Sequence, residues 1–273
     1  MNTIRILQLT DLHVFDEPEK CLKGIPTRES LLNVVKHIRE TQADFDHVVI
    51  TGDHTHDEKP ESYQAVRSIL GDWGSKLWQV PGNHDDRDVL RSVFEDRVAG
   101  AIPGRITFQF EAGNWLCLGL DTHVPGQVHG QIDQEQIDWI ESAVASHQSN
   151  LSEEESASAF CVGLFLHHPP VMLGSPWMDA IGLHGMDRLQ SMIIRNPAIK
   201  FCCCGHVHHE SSNQIGQCQV LTTPSTGIQF APEGEVPNFV AGAPGFRIIE
   251  LHDASFTTRV ERLPQVRYIP VDN

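Results

Sequence analysis

Five apolar, strand-like runs in this chain pass without a break into side chains that can ligate metals. IRILQLT (4–10) runs into DLH, HVVIT (47–51) into GDHTHD, LWQV (77–80) into PGNHDD, FCVGLFL (160–166) into HHPP, and KFCCC (200–204) into GHVHH. Imidazole fills a core poorly and titrates near neutral pH, so His206, His208 and His209 set directly against a buried-looking strand need a reason. In folds that alternate strand and helix, ligands bind beyond the carboxyl ends of the strands, so five such ends can converge on one crevice. That restricts the architecture to one in which these carboxyl ends meet.

Further strand-like runs are ITFQF (106–110), WLCLGL (115–120), QVLTT (219–223), FRIIEL (246–251) and TTRVERL (257–263), each short, apolar and bounded by turn residues. RESLLNVVKHIRET (28–41) puts Leu31, Val34, Val35 and Ile38 on one helical face, and PESYQAVRSIL (60–70) opens with a proline suited to a first turn. IDQEQIDWIESAVASH (132–147) spaces Ile132, Ile137, Ile140 and Val144 in the same way, and GMDRLQSMIIR (185–195) is a fourth helix. Strands and helices alternate early and strands dominate later. An α/β sandwich follows, βαβ-like in its first half and with a more mixed sheet in its second. NLSEEESASA (150–159) reads as a solvated loop and APEGEVPNFVAGAPG (231–245) as a Pro/Gly-rich excursion. Neither separates two cores, so residues 1–273 are expected to form a single domain.

With 36 acidic against 20 basic residues the formal net charge is -16, which disfavours nucleic acid and anionic membrane surfaces as partners. The N-terminus lacks a charged segment followed by a long apolar one, and no window approaches the roughly 18 uninterrupted apolar residues of a membrane span. A soluble, cytoplasmic protein is expected. Seven cysteines, three of them adjacent at Cys202, Cys203 and Cys204, do not resemble a disulfide framework and read as small apolar filler in a reducing compartment. Sixteen histidines are the compositional anomaly, and many of them sit beside Asp, Gly or Asn, the mark of a site more than of a surface tag. No pattern speaks to oligomeric state.

Taken singly, the motifs are ordinary. Asp-x-His after a strand is commonly a turn or N-cap, and Gly-Asp and Gly-Asn are turn dipeptides. A strand-end His-x-His says more, because alternate residues point the same way and two imidazoles crowd unless something binds them. Together the carboxylates, amide and imidazoles suit borderline transition metals. In the order Asp-x-His, Gly-Asp, Gly-Asn-His-Asp, His, Gly-His-x-His, the set resembles the calcineurin-like metallophosphoesterase superfamily. LHHPP (166–170), TPSTGIQF (223–230) and APGFRIIEL (243–251) are similar to its class III cyclic nucleotide phosphodiesterase branch. The resemblance implies a four-layer αββα sandwich with two mixed β-sheets and a substrate-proximal segment at about 210–250.

It also implies roles. Asp11, His13, Asp53 and His208 would hold one metal ion, and Asp53, Asn83, His167 and His206 a second, with His168 the alternative to His167. Two ions sharing a water activate it and brace the oxygens of an in-line displacement at phosphorus. The reaction implied is hydrolysis of 3',5'-cyclic AMP to 5'-AMP by a metal-bridging hydroxide, with a glycerophosphodiesterase or broad phosphodiesterase as the alternative and a non-catalytic scaffold as the rival from another class. Iron and manganese are the metals implied, and zinc or cobalt also suit the donors. Neutral Asn83 keeps the second ion electron-poor, so that it can take a phosphate oxygen. His84 would bind phosphate or protonate the leaving ribose oxygen, and Asp85 would orient the site from behind. His54 and His56 read as exposed, and the roles of His129 and His209 stay open. Asp121 is a strand-end turn or a wall of the site; Phe230 and Phe239 are stacking partners for a base or loop anchors.

Overall fold

A computed structural model describes residues 3–42, 44–98, 100–150 and 160–271. In chain order the strands are β1 (Ile4–Leu9), β2 (His47–Thr51), β3 (Leu77–Val80), β4 (Phe108–Ala112), β5 (Trp115–Leu120), β6 (Gly130–Gln131), β7 (Cys161–Leu166), β8 (Leu183–His184), β9 (Ile199–Cys204), β10 (Ser211–Ile215), β11 (Cys218–Thr222), β12 (Gln229–Phe230), β13 (Phe239–Val240), β14 (Gly245–Leu251) and β15 (Phe256–Arg262). The helices are α1 (Thr27–Thr41), α2 (Pro60–Leu70), α3 (Arg87–Val93), α4 (Gln134–Asn150), α5 (Pro176–Ala180) and α6 (Met186–Arg195).

One sheet has the order β15-β14-β1-β2-β3 and the other β10-β11-β9-β7-β5-β4. Both are mixed. β1, β2 and β3 are parallel, as are β5, β7, β9 and β11, while β14, β15, β4 and β10 join antiparallel. The last two strands thus return to the first sheet, β14 pairing with β1 and β15 with β14, a long-range closure that local periodicity does not announce.

Three apolar layers define the sandwich. Leu7, Leu9, Val48 and Ile50 face Leu31, Val34, Ile38 and Val66 of α1 and α2. Leu118, Leu164, Cys202 and Cys204 face Ile137, Ile140, Leu189 and Met192 of α4 and α6. Between the sheets lie Ile6, Val49, Val80 and Ile249 against Phe108, Trp115, Phe165, Phe201 and Cys203. The αββα expectation holds, and the strand period of two splits the FCCC run between two layers. All three of those cysteines are fully buried, as apolar filler requires.

The differences have local causes. The strand expected over 106–110 begins two residues later, because Ile106 N–H donates to the Asp121 carboxylate (2.7 Å) and Thr107 Oγ1 accepts from Ala101 N–H (3.0 Å). α3 has no counterpart among the helices the periodicity predicts; Asp86 caps it, its carboxylate accepting from Asp88 and Val89 N–H at 2.8 and 2.9 Å. β10 is a polar edge strand and lacks an apolar face. Residues 151–159 of the expected loop lie outside the described residues, and Asn150 ends α4.

Buried Arg247 on β14 joins the two sheets. It donates to Thr222 O (2.8 Å) at the end of β11, to Thr223 Oγ1 (3.0 Å) just beyond it and to Thr258 Oγ1 (3.1 Å) on β15. Replacing it takes this donor from two buried acceptors, Thr222 O and Thr223 Oγ1, at about 1–3 kcal/mol each, while Thr258 is half-buried and loses less. Arg247→Met is therefore expected to lower the unfolding free energy by about 2–4 kcal/mol in urea titration, with the m-value unchanged.

Candidate active site

The carboxyl ends of β1, β2, β3, β7 and β9 meet at one edge of the sandwich. Asp11 (φ 53°), His13 (46°), Asp53 (53°), His206 (71°) and His208 (50°) all sit in the left-handed region, as do Lys23 and Glu58 among the described non-glycine residues. Such backbone costs on the order of 1–3 kcal/mol per residue and persists where surrounding structure over-determines it. Here it does. Asp11 N–H donates to Gly52 O (3.1 Å), His13 N–H to Asp53 O (3.0 Å), Gly205 N–H to His167 O (3.0 Å) and His206 N–H to the Asp11 carboxylate (3.1 Å). The loops pack so closely that a Cβ on Gly82 would lie 2.2 Å from Asp53 Oδ1, and one on Gly52 2.6 Å from Gly82 N.

Asp53 is shared. Its Oδ2 lies 3.5 Å from His13 Nε2 and 3.5 Å from His167 Nε2, while Oδ1 accepts from His84 N–H at 2.8 Å. On one side His208 Nε2 is 3.2 Å from Asp11 Oδ1 and 3.2 Å from His13 Nε2. On the other, Asn83 Oδ1 is 3.2 Å from His167 Nε2 and 3.0 Å from His206 Nδ1. The outer ring nitrogens of three of these histidines face backbone carbonyls: His167 Nδ1 to Thr51 O (2.7 Å), His208 Nδ1 to Ile228 O (2.8 Å) and His206 Nε2 to Ile181 O (3.1 Å). A carbonyl partner makes the outer nitrogen the N–H donor and leaves a lone pair on the inner one. Lone pairs and carboxylate oxygens thus point at one another, and a cation satisfies such a set.

Burial and then the neighbouring His84 and His208 imidazoles hold His13 far below the ordinary histidine range; burial and then His167 hold His206 down to about 3. Neutral imidazole is the ligating form. Burial raises the Asp53 carboxyl despite the imidazoles beside it.

The structure brings together Asp11, His13, Asp53, Asn83, His167, His206 and His208, and sets half-buried His84 at the mouth, edge-on to His13 (5.0 Å) and stacked on His56 (4.6 Å). His168 lies near His167 and His206, but its ring nitrogens face Thr122 Oγ1 (2.8 Å) and Val128 O (3.0 Å), so His167 is the ring directed inward. The expectation that His54 is exposed is corrected: it is fully buried, with Nδ1 on Asp85 (3.0 Å) and Nε2 on Gln79 Oε1 (3.0 Å). His56 is half-buried, its Nδ1 3.2 Å from His13 Nδ1, so the exposed reading fails for it too. Asp85 braces loops: it accepts from Gly82 N–H (2.9 Å), His54 N–H (3.1 Å) and Tyr63 O–H (2.9 Å). Asp121 is neither a bare turn nor an open wall but a buried anchor for Arg87 (2.7 Å). His209 turns back on Val207 O (2.7 Å) and His129 stacks on His184 (4.0 Å). Phe230 and Phe239 line the cleft, as do Leu22, Lys23, Trp177 and Ile181, which no sequence motif marked.

Two mixed sheets between helices, with strand-end carboxylates and imidazoles gathered at one edge, define the class of metal-dependent phosphoester hydrolases. The chain belongs to the calcineurin-like phosphoesterase family, whose model matches residues 4–210. It is 34% identical to the 3',5'-cyclic adenosine monophosphate phosphodiesterase CpdA of Escherichia coli K12, over 98% of this chain and 92% of that protein. It is 31% identical to a 3',5'-cyclic-nucleotide phosphodiesterase of Nostoc, over 96% and 93%. The fold is that of a dimetal phosphatase from Danio rerio (TM-score 0.62, 14% identity, 93% of this chain and 98% of that one) and of a purple acid phosphatase from yellow lupin (0.67, 13%, 98% and 53%).

Burial alone would raise the Asp85 carboxyl, but His54 and the N–H and O–H donors around it outweigh burial and hold it below its ordinary 3.8. A depressed carboxyl contributes stability above its unfolded pKa and loses it as pH falls through the folded value. Asp85→Ala is expected to cost about 3–5 kcal/mol at pH 7. The difference from wild type should shrink as the pH of denaturant titrations falls below about 4.

Proposed function

We propose that the protein is a metal-dependent phosphodiesterase that hydrolyses 3',5'-cyclic AMP to 5'-AMP. The observation that carries the chemistry is the sharing of Asp53 Oδ2, 3.5 Å from both His13 Nε2 and His167 Nε2, between two sets of inward-facing acceptors. The substrate is supported by relatives named as cyclic nucleotide phosphodiesterases that align over nearly the whole chain.

In this reading Asp11, His13, Asp53 and His208 would hold one ion, and Asp53, Asn83, His167 and His206 the other. Bound there, the pair supplies an activated water and positive charge for the phosphoryl oxygens. Iron or manganese is the reading for the metals, since imidazole, carboxylate and amide suit borderline first-row ions; zinc and cobalt are the competing outcomes. The chain's own residues do the rest. Asn83 contributes an oxygen without adding charge. His84, at the cleft mouth beside His13, contacts the phosphate or gives a proton to the ribose 3' oxygen as its bond to phosphorus breaks and water adds, yielding 5'-AMP.

Residues 1–273 are read as one catalytic domain, with the segment of about 210–250 next to the substrate. The shared layer between the sheets and the cleft positions of Phe230 and Phe239 support this. The acidic charge supports a small diester over a nucleic acid. The six buried free cysteines support a cytoplasmic setting; no described helix is long and apolar enough to cross a membrane.

Metal-reconstituted protein is expected to cleave 3',5'-cyclic AMP with a higher specificity constant than 2',3'-cyclic AMP, a glycerophosphodiester or bis(p-nitrophenyl) phosphate. Faster turnover of the glycerophosphodiester would overturn the substrate assignment and leave the metal assignment standing. Asp53→Ala should empty both positions by metal analysis and abolish turnover. His84→Ala should retain two metals per chain and slow turnover by about 10²- to 10⁴-fold, and loss of metal in that variant would make His84 a ligand.

A further inference from the structure

The cleft is two-faced. Opposite the ligands, Leu22, Trp177, Ile181, Phe230, Pro237 and Phe239 line an apolar half, within a cavity of about 240 Å³. Phe230 is its pivot, lying flat on His208 with ring centroids 3.8 Å apart and planes 8° apart. Trp177 and Phe239 stand steeply against it, at 66° and 73° with centroids at 5.3 and 5.4 Å. All three rings are only partly buried, whereas Trp115, Phe165 and Phe201 of the inter-sheet layer are sealed from solvent. The Trp177 indole N–H is buried and has no partner among the described residues, a donor set beside these rings. Lys23 reaches over Phe239 (5.5 Å), and its strained backbone is held by Val271 N–H donating to Lys23 O at 3.0 Å.

Aromatic rings that keep part of their surface open beside a phosphate-handling site offer flat contact area at little conformational-entropy cost. An aliphatic alcohol such as glycerol has no flat face to set against them. We propose that this wall, with Phe239 and Trp177 as its principal contacts, is a nucleobase subsite that sets the preference for nucleoside phosphodiesters over diesters of aliphatic alcohols. The identity of the ligand as a nucleotide rests on the cyclic AMP reading above. Stacking is tolerant because every base has a π-face, so the wall selects for the presence of a base and discriminates weakly between adenine and guanine.

Calorimetric titration of the metal-loaded full chain with 5'-AMP and with ribose 5-phosphate, which lacks the base, isolates this contact. Wild type should bind 5'-AMP more tightly. In Phe239→Ala the dissociation constant for 5'-AMP should rise by about 5- to 100-fold relative to that for ribose 5-phosphate, and Phe239→Tyr should restore the ratio. Trp177→Ala should move the ratio in the same direction as Phe239→Ala, with two metals per chain retained in each variant. Equal affinity of wild type for the two ligands, or a parallel loss of both in Phe239→Ala, overturns the subsite. A wild type that binds 5'-AMP in this Phe239-dependent way yet fails to turn over 3',5'-cyclic AMP overturns the functional reading and leaves the subsite intact.

Discussion

One carboxylate organises the site. Asp53 presents the same oxygen to His13 from the first sheet and to His167 from the second, and ties its other oxygen to the backbone of the loop that carries Asn83 and His84. Buried carboxylates are costly unless compensated, and beside Asp11 and Asp53 stand the imidazoles of His208 and His167, whose outer nitrogens face carbonyls, and that of His13, whose outer nitrogen faces His56. Desolvation, five left-handed backbones and lone-pair crowding therefore fall on the same few residues. A cation at this point offsets the desolvation and the lone-pair crowding, while the hydrogen bonds between the loops hold the strained backbone, so metal binding and the stability of the strand-end loops are coupled.

Such strain needs a stiff frame. The inter-sheet layer of aromatics and aliphatics supplies most of it, and a polar seam aligns the two sheets where their strands end. Gln8 on β1 donates to Thr51 Oγ1 (2.9 Å) after β2's apolar run and to Cys204 O (3.2 Å) at the end of β9, and accepts from Thr223 (2.7 Å). Thr223 in turn accepts from Arg247 on β14. One amide thus ties the strands that carry Asp11, Asp53 and His206 into register. Side chains anchored at strand ends hold ligand geometry more tightly than side chains on free loops.

The metal half of the cleft was legible because its chemistry is written next to periodic structure. Asp11, Asp53, Asn83, His167, His206 and His208 each follow an apolar run whose period names it a strand, and strand ends are where α/β folds gather ligands. Cys202 and Cys204 against Cys203 show the same alternation deciding between two core layers. What local pattern could not give was set by distant partners. His54 looks surface-bound in GDHTHD, yet Asp85 and Gln79 draw it inward. Trp177 sits on the short helix α5 and Leu22 and Lys23 in loops, segments too short or irregular to show a period, and only the tertiary fold sets them beside Phe230 and Phe239. The ligands were readable and the specificity wall was not, because ligation demands particular side chains at particular offsets whereas an apolar wall accepts any that reach.

The charge distribution limits the size of substrate that fits this reading. The chain carries a formal charge of -16, and Lys23 is the single Lys or Arg among the described residues lining the cleft. Attraction for a phosphodiester therefore has to come from ions held between Asp11, Asp53 and the imidazoles, and bound ions are the largest local charges in such a site. That attraction is short-ranged, since exposed charges are screened over about 10 Å at ordinary ionic strength. Beyond the cleft, the exposed loop residues Glu233 and Glu235 precede Pro237 at the apolar wall. A cyclic mononucleotide carries its single negative charge inside the attractive zone and its base against the rings. A polynucleotide of the same chemistry would extend further phosphates over an acidic surface, where each adds repulsion without reaching the ions.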